Sequence, residues 1–388
     1  MNRAADAPAK LPPRARGGSL MRLRGLVRKE FLQIRRDPSS IAIAFLMPVV
    51  LLLLFGYGVS LDAQHVPIAL VVEDQGGDTA AFTGAFQHNT YFNPKDFPTM
   101  QGAKEAMRYH QVDGMVWLRA NFAPQLHSGS TAPIEVILNG VDANSARLVS
   151  GYVEGVWRNW LVERARSQGR TLNQPVVVEQ RIWFNSEVRS RNFLVPGLIA
   201  VIMTLIGALL TAMVMAREWE RGTMEALMVT PVAIGEVLVG KLIPYFLMGM
   251  GGLALSVGMA LFLFHVPLRG SFWVLTAASA LFLLVALGMG LLISIVARSQ
   301  FVAGQAAMVS TFLPAFLLSG FLFDINSMPL VVQGITYLIG ARYYVAILQT
   351  LFLAGDVFAV IWPNALALVI MASFFLGLSR LKSRKRLD

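Results

Sequence analysis

Six long stretches of the chain carry no charged residue: 41–60, 193–216, 242–264, 272–297, 301–323 and 357–379. A hydrocarbon core about 30 Å thick is crossed by roughly 20 apolar residues in a helix, so each stretch predicts a transmembrane helix. Ahead of the first, Leu20, Leu23, Val27, Phe31 and Ile34 recur at the spacing of one helix face. Residues 20–38 therefore predict an amphipathic helix lying in the membrane interface. Residues 1–19, with Pro8, Pro12, Pro13, Gly17 and Gly18, read as a flexible leader.

The pattern changes between the first two spans. Apolar runs at Val66–Val72, Gly114–Leu118, Ile134–Leu138 and 176–184 predict strands, and residues 79–88, 100–110 and 144–167 predict helices between them. In the last helix Leu148, Tyr152, Val156, Trp160 and Arg164 repeat every four residues. Alternating strands and helices over residues 61–190 indicate a small α/β domain. The fold class that follows is an α-helical integral membrane protein with six transmembrane helices and an α/β domain inserted between helices 1 and 2.

Composition agrees. Of 388 residues, 55% are apolar and 14% charged, against about 25% charged in soluble proteins. The absence of cysteine excludes thiol nucleophiles, disulfides and cysteine-ligated metals. The net charge of +10 sits at the ends: +7 over residues 1–40 and +4 over residues 380–388, which leaves −1 for the rest. Two basic ends around a neutral body are what the positive-inside rule produces when both termini are cytoplasmic, and an even number of spans gives the same topology. Residues 61–190 and 324–356 are then extracytoplasmic, while 217–241 and the basic tail 380–388 are cytoplasmic. On this reading Arg217, Arg221, Lys241 and Arg298 fall in inner loops, and Arg269 and Arg342 in outer ones. The first span is longer than a signal-peptide core, and Leu61-Asp62-Ala63 lacks a small residue three places before a cut, so it reads as an uncleaved anchor. Neither basic end offers a folded base-reading surface, which excludes nucleic acid as a partner.

Most candidate chemistry fails on inspection. Gly235 to Lys241 matches the GxxxxGK phosphate loop, but Leu242 stands where Ser or Thr must hold Mg²⁺, and no strand precedes it. Lys241 reads instead as an interfacial lysine at a helix start. The five histidines show no metal-ligand spacing. The six charge-free spans hold no ionisable group at membrane depth, which disfavours a proton- or ion-coupled carrier.

The remaining candidate is the charged segment from Ala216 to Pro231. Arg217/Arg221 and Arg221/Glu225 are helical neighbours, Met224, Leu227 and Met228 form an apolar edge, Gly222 divides the helix into two arms, and Pro231 stops it. Glu218…Glu220-Arg221-Gly222-Thr223…Glu225…Leu227…Thr230-Pro231 resembles the E-x-E-R-G-T-x-E-x-L-x-x-T-P signature of ABC-2 type permeases, the membrane subunits of ATP-driven exporters. The similarity extends to Lys29-Glu30-Phe31…Arg35-Arg36-Asp37-Pro38, to Arg181–Asn185 with Ser190–Phe193 and Pro196-Gly197, and to Leu318–Phe321 with Met328-Pro329 and Arg342–Tyr344. Ser186, Gly340 and Gln349 depart from residues common in the family.

The resemblance implies a permease of the drug-efflux-like subgroup with a large periplasmic domain, in the bacterial inner membrane. It implies an ABC ATPase subunit that binds ATP and Mg²⁺, since this chain binds no cofactor, and a second permease as homodimer or heterodimer partner. A periplasmic adaptor is a further candidate partner, and membrane lipids surround the spans. Glu218, Arg221, Gly222, Thr223, Glu225, Leu227, Thr230 and Pro231 would couple to the ATPase. Arg28, Glu30, Phe31 and Asp37 belong to the interfacial helix beside them. A candidate transport path along spans two and five takes in Thr204, Thr211, Ser310, Thr311, Phe312 and Phe316, a lining suited to amphipathic cargo. For the outer domain, Tyr91, Phe92 and Phe97 are candidate contacts, with core packing as the alternative. Two other functions stay open: membrane spans that transmit ATPase motion to the outer domain without moving cargo, and a sensor or scaffold with no ATPase.

Overall fold

The computed structural model describes residues 18–58, 65–74, 76–128, 131–140, 143–169, 189–223 and 232–383. They form two compact units, one of residues 60–181 and the other of the chain on either side. The chain starts with α1 (Ser19–Arg35), turns at Arg36-Asp37 and runs into α2 (Pro38–Gly58). Asp37 starts α2: its carboxylate accepts from the Ser39 amide at 3.1 Å and the Ser40 hydroxyl at 3.0 Å, and Pro38 occupies the first turn.

The inserted unit is a four-stranded sheet with helices on both faces. In chain order it contains β1 (Val66–Val72), α3 (Gly77–Gln87), β2 (Phe92–Phe97), α4 (Met100–Arg108), β3 (Gly114–Leu118), α5 (Phe122–Ser128), β4 (Ile134–Leu138) and α6 (Ala143–Ser167). The strand order is β2-β1-β3-β4, with β1 parallel to β2 and β3, and β4 antiparallel to β3. Alternation along β1 sorts the core. Val66, Ile68 and Leu70 pack with Phe82 and Phe86 of α3 and Val153 and Trp160 of α6, whereas Ala69 and Val71 face Ala103 and Ala106 of α4. Three of the four expected strands form at the expected bounds, and the fourth, 176–184, lies outside the described residues. β2 was not expected. Pro94, Lys95 and Asp96 interrupt any apolar alternation, and they are tolerated because β2 is an edge strand with one side unpaired. Phe92 is buried and Phe97 packs against the α4 side, while Tyr91 stacks on Tyr152 at 4.5 Å. Phe92 and Phe97 are thus core residues rather than exposed contacts.

The chain continues as α7 (Ser190–Glu220), α8 (Ile234–Leu263), α9 (Phe272–Ala297), α10 (Gln300–Leu318), α11 (Leu330–Thr336), α12 (Gly340–Leu353) and α13 (Phe358–Lys382). Six helices among the described residues are long and apolar enough to cross a membrane, or seven if α11 and α12, bent by 83°, count as one span. Helix α7 is the hub, buried on nearly every face. Small residues let α9 lie close to it. A side chain at Gly207 would meet Ala286, and one at Gly290 would strike the Ala208 carbonyl and Thr211. Thr211 donates to the Leu287 carbonyl at 3.0 Å, and the Ala216 amide donates to Ser294 at 2.8 Å, so polar bonds tie the pair along its length. A seam of Ala208, Ala212 and Ala216 against Ala303 and Ala307 joins α7 to α10.

Three expectations change. Residues 324–356, read as an outer loop, are mostly helical, and α12 enters the core through Tyr344, Leu348 and Phe352. Arg342 and Gly340 shortened the apolar run below a span's length and hid it. Arg217 and Lys241 are not loop residues: α7 runs through Arg217 to Glu220, and α8 starts seven residues before Lys241. The helices of the spans therefore do contain ionisable groups, at their ends. Three spans also widen into a π-helical turn, at Ala42–Leu46, Met259–Leu263 and Met308–Phe312.

Candidate functional site

Helix α1 does not lie with all its apolar face inward. Leu23, Leu26 and Val27 turn toward the bundle, but Leu20 and Phe31 are 81% and 43% exposed. What α1 buries instead is partly charge. Gly240 on α8 lets it approach, because a side chain there would collide with Leu26. Beyond that contact three helix ends converge on one ion network.

Lys241 is its centre. The Lys241 ammonium lies 2.7 Å from Glu30 Oε1 on α1 and 2.9 Å from Glu218 Oε1 on α7. Lys29 reaches the same Glu218 oxygen at 3.1 Å. Glu30, Lys241 and Glu218 are 1%, 4% and 4% exposed, so these charges are removed from water. The other Glu218 oxygen accepts from the Thr223 hydroxyl, and the second Glu30 oxygen has no partner among the described residues. Removing one member of such a network strands the rest, at a cost of about 3–5 kcal/mol.

A second set of contacts flanks the first. Arg217 lies 2.7 Å from Asp37 Oδ2 and donates through Nε to Gln300 Oε1 at 3.2 Å. Burial alone would raise the Asp37 carboxyl, but hydrogen bonds from Ser39, Arg217 and Ser40, with the charge of Arg217, outweigh it and hold the group at about 2. Gln300 in turn binds both Glu220 oxygens through its amide N–H and its side chain. At the far end of α1, Arg22 and Ser19 hold Glu236, which also accepts from the Ala233 amide and so caps α8. Helix α7 ends at Gly222, whose φ of +67° no residue with a Cβ adopts without strain.

The sequence candidates divide accordingly. Glu30, Glu218 and Thr223 meet in the network, Asp37 lies in the flanking set, and Gly222 forms the turn. Arg221, Arg28 and Phe31 are exposed, and Glu225, Leu227, Thr230 and Pro231 lie outside the described residues. Lys29, Arg217 and Lys241 are central, yet sequence alone did not assign them roles. Lys29 and Glu218 stand 189 positions apart and Lys241 and Glu30 stand 211 apart, and even Lys241 and Glu218, 23 apart, are on different helices, so no periodicity links them. Along the candidate path, Thr204, Thr211 and Thr311 are buried with their hydroxyls bound to carbonyls one turn back. Ser310 is exposed, and Phe312 stacks on Phe316, which also meets Phe55 and Phe321. No group of three or more metal-ligating side chains occurs among the described residues.

The profile of the ABC-2 family transporter proteins matches residues 38–381. The chain is 44% identical over 371 residues to the probable multidrug ABC transporter permease YbhS of Escherichia coli strain K12, covering 95% of this chain and 98% of that one. It belongs to the ABC-2 permease family. The permease is also 27% identical over 363 residues to the probable multidrug ABC transporter permease YbhR of the same strain, covering 91% and 95%. It is 25% identical over 318 residues to the ABC transporter permease protein NatB of Bacillus subtilis strain 168, covering 75% and 80%. The family match, residues 38–381, takes in residues of both units.

Proposed function

We propose that this permease is the membrane subunit of an ATP-driven exporter of amphipathic, drug-like molecules. A separate ATPase subunit, holding ATP and Mg²⁺, docks on residues 218–231, and a second permease, identical or related, completes the membrane assembly. The observation that carries this reading is the buried network of Glu30, Lys241 and Glu218. It locks α1, the end of α7 and the start of α8 into one rigid piece on either side of that segment. A push there moves three helix ends together instead of bending a loop, which is what transmission of ATPase closure into the bundle requires. Both termini are cytoplasmic in the inner membrane, and residues 60–181 face the periplasm, where a periplasmic adaptor would meet them. The similarity to two probable multidrug permeases of E. coli and the stretch of Ser310, Phe312 and Phe316 both favour amphipathic cargo over an ion.

Affinity purification in mild detergent tests the coupling. An ATPase recovered in near-equal amount with the permease, and lost on Glu225→Lys while membrane insertion persists, is the expected result. Failure to recover an ATPase in several detergents, or its undiminished recovery with Glu225→Lys, would sink the docking role. ATP-dependent uptake of an amphipathic dye into inside-out vesicles then separates export from motion without cargo.

A further inference from the structure

Beside the buried network lies an open groove of about 680 Å³ whose charge is not balanced. Lys29, Arg36, Arg217 and Arg221 line it against one carboxylate, Asp37, and Leu32 forms part of its wall. Two of the four cations are spoken for, Arg217 by Asp37 and Lys29 by Glu218. Neither Arg36 nor Arg221 makes a salt bridge among the described residues, although Arg221 lies close enough to Glu220 to help lower its carboxyl. They reach the groove from different elements, the turn after α1 and the end of α7. Two guanidiniums with no salt bridge among the described residues, on one groove, suit a phosphate, which accepts the paired N–H donors of arginine.

The position of the groove chooses the source of that phosphate. Asp37 and Ser39 stand where α2 begins, Arg217 and Arg221 where α7 ends, and Gln300 where α10 begins. Three spans thus start or stop at this level, which is the level of lipid headgroups. Directly past the groove, α2 leaves Ile41, Phe45 and Leu46 exposed, and Leu32 on α1 is 45% exposed. A phosphate held at Arg36 and Arg221 would have apolar surface beside it suited to acyl chains.

We propose that this groove binds the headgroup phosphate of an anionic phospholipid, clamped between α1 and the end of α7 by Arg36 and Arg221. The charge of the groove argues against a zwitterionic headgroup. An ethanolamine ammonium would add a fifth cation to a groove with a single carboxylate, and that carboxylate is already paired. A glycerol headgroup brings the phosphate charge alone. The bound lipid would bridge the interfacial helix to α7, so the anionic lipid content of the membrane would set how firmly α1 is held. This inference needs only that the chain is a membrane-spanning permease; because Arg221 also lies in the proposed docking segment 218–231, its test is made at Arg36.

The test is native mass spectrometry of the purified full-length permease in mild detergent, with phosphatidylglycerol and phosphatidylethanolamine of matched acyl chains in equal amounts. Phosphatidylglycerol should be retained in preference by about fivefold or more, the effect of one basic residue near an anionic surface. Arg36→Gln should cut that preference severalfold, and Arg36→Lys should keep part of it. Arg24→Gln, on an exposed part of α1 outside the groove, should keep it in full and serves as a charge-matched control for folding. Equal retention of the two lipids, or equal losses from Arg36→Gln and Arg24→Gln, would overturn the proposal. Displacement of the lipid by millimolar inorganic phosphate, beyond that caused by chloride at equal ionic strength, would assign the groove to a free anion instead. Loss of ATPase recovery on Arg36→Gln with lipid retention intact would give it to an acidic segment of the ATPase. That last outcome would leave the docking role standing, whereas failure of the Glu225→Lys experiment would leave the lipid site standing.

Discussion

Lys241 holds two carboxylates that would otherwise repel each other across a dry gap, and its removal should cost more than its position at a helix start suggests. Lys241→Met leaves Glu30 and Glu218 with only the half-exposed Lys29 nearby. Detergent-solubilised protein should lose about 3–5 kcal/mol of stability, and Glu30→Gln added to it should restore part of the loss by removing one stranded charge. Thermal unfolding of the single and double variants decides it, since two plainly additive losses would contradict the network. Asp37 gives a pH signature of the opposite kind. Its folded carboxyl lies at about 2, below the ordinary 3.8. Its contribution is therefore complete above about pH 4 and fades as the pH falls toward 2. Asp37→Asn should flatten the acid limb of the stability profile in that window. At Gly222, Gly222→Ala should cost about 1–2 kcal/mol, because the left-handed backbone there excludes a Cβ.

At the scale of elements, what was legible and what was not separate by a simple physical rule. Charge-free spans and the short apolar runs of the strands were visible because each signal is local. Val66–Val72, Gly114–Leu118 and Ile134–Leu138 fall where the apolar runs placed them, since helices pack on both faces of the sheet. Edge strand β2 carries Pro94, Lys95 and Asp96 and escaped notice, because an edge need not be apolar and must not be sticky. Helix α12 was hidden for a related reason: it is buried by neighbours in the bundle, so a single arginine at its start does not prevent it from packing. The charged segment from Ala216 to Pro231 was recognisable as a motif, but the ion partners of its Glu218 come from two other helices, which no local pattern encodes. Helix packing gives a test of its own. Gly290→Leu should force α9 away from α7 and cost about 1–3 kcal/mol or abolish folding. Gly258→Leu on α8, where nothing lies within 4 Å of the added group, should be close to neutral. Equal unfolding temperatures for the two variants would show that the α7–α9 contact does not hold the bundle.

For the whole molecule, two units with separate cores imply two separable responses to acid. In the inserted unit Arg164 on α6 binds Asp78 at the start of α3 through two nitrogens, at 2.9 and 3.1 Å. The hydrogen bond from Arg164 is the main cause that lowers the Asp78 carboxyl below 3.8. Its contribution is thus present above about pH 4 and lost as pH drops through the lower folded value. Hydrogen exchange read segment by segment should show residues 66–167 losing protection in that range with wild-type sequence, and losing less additional protection with Asp78→Asn. The larger unit carries a different consequence, set by its π-helical turns. Each such turn seats one residue more than an ordinary one, so everything beyond it is rotated by about 100° from where an unbroken helix would put it. The stripe that α2, α8 or α10 shows to its neighbours on one side of the turn is therefore not continued on the other. Each of these three spans is, in effect, two half-helices set a step out of phase, and deletion of a single residue inside Ala42–Leu46, Met259–Leu263 or Met308–Phe312 would swing one half's side chains onto a new set of partners while leaving the span long enough to cross the bilayer.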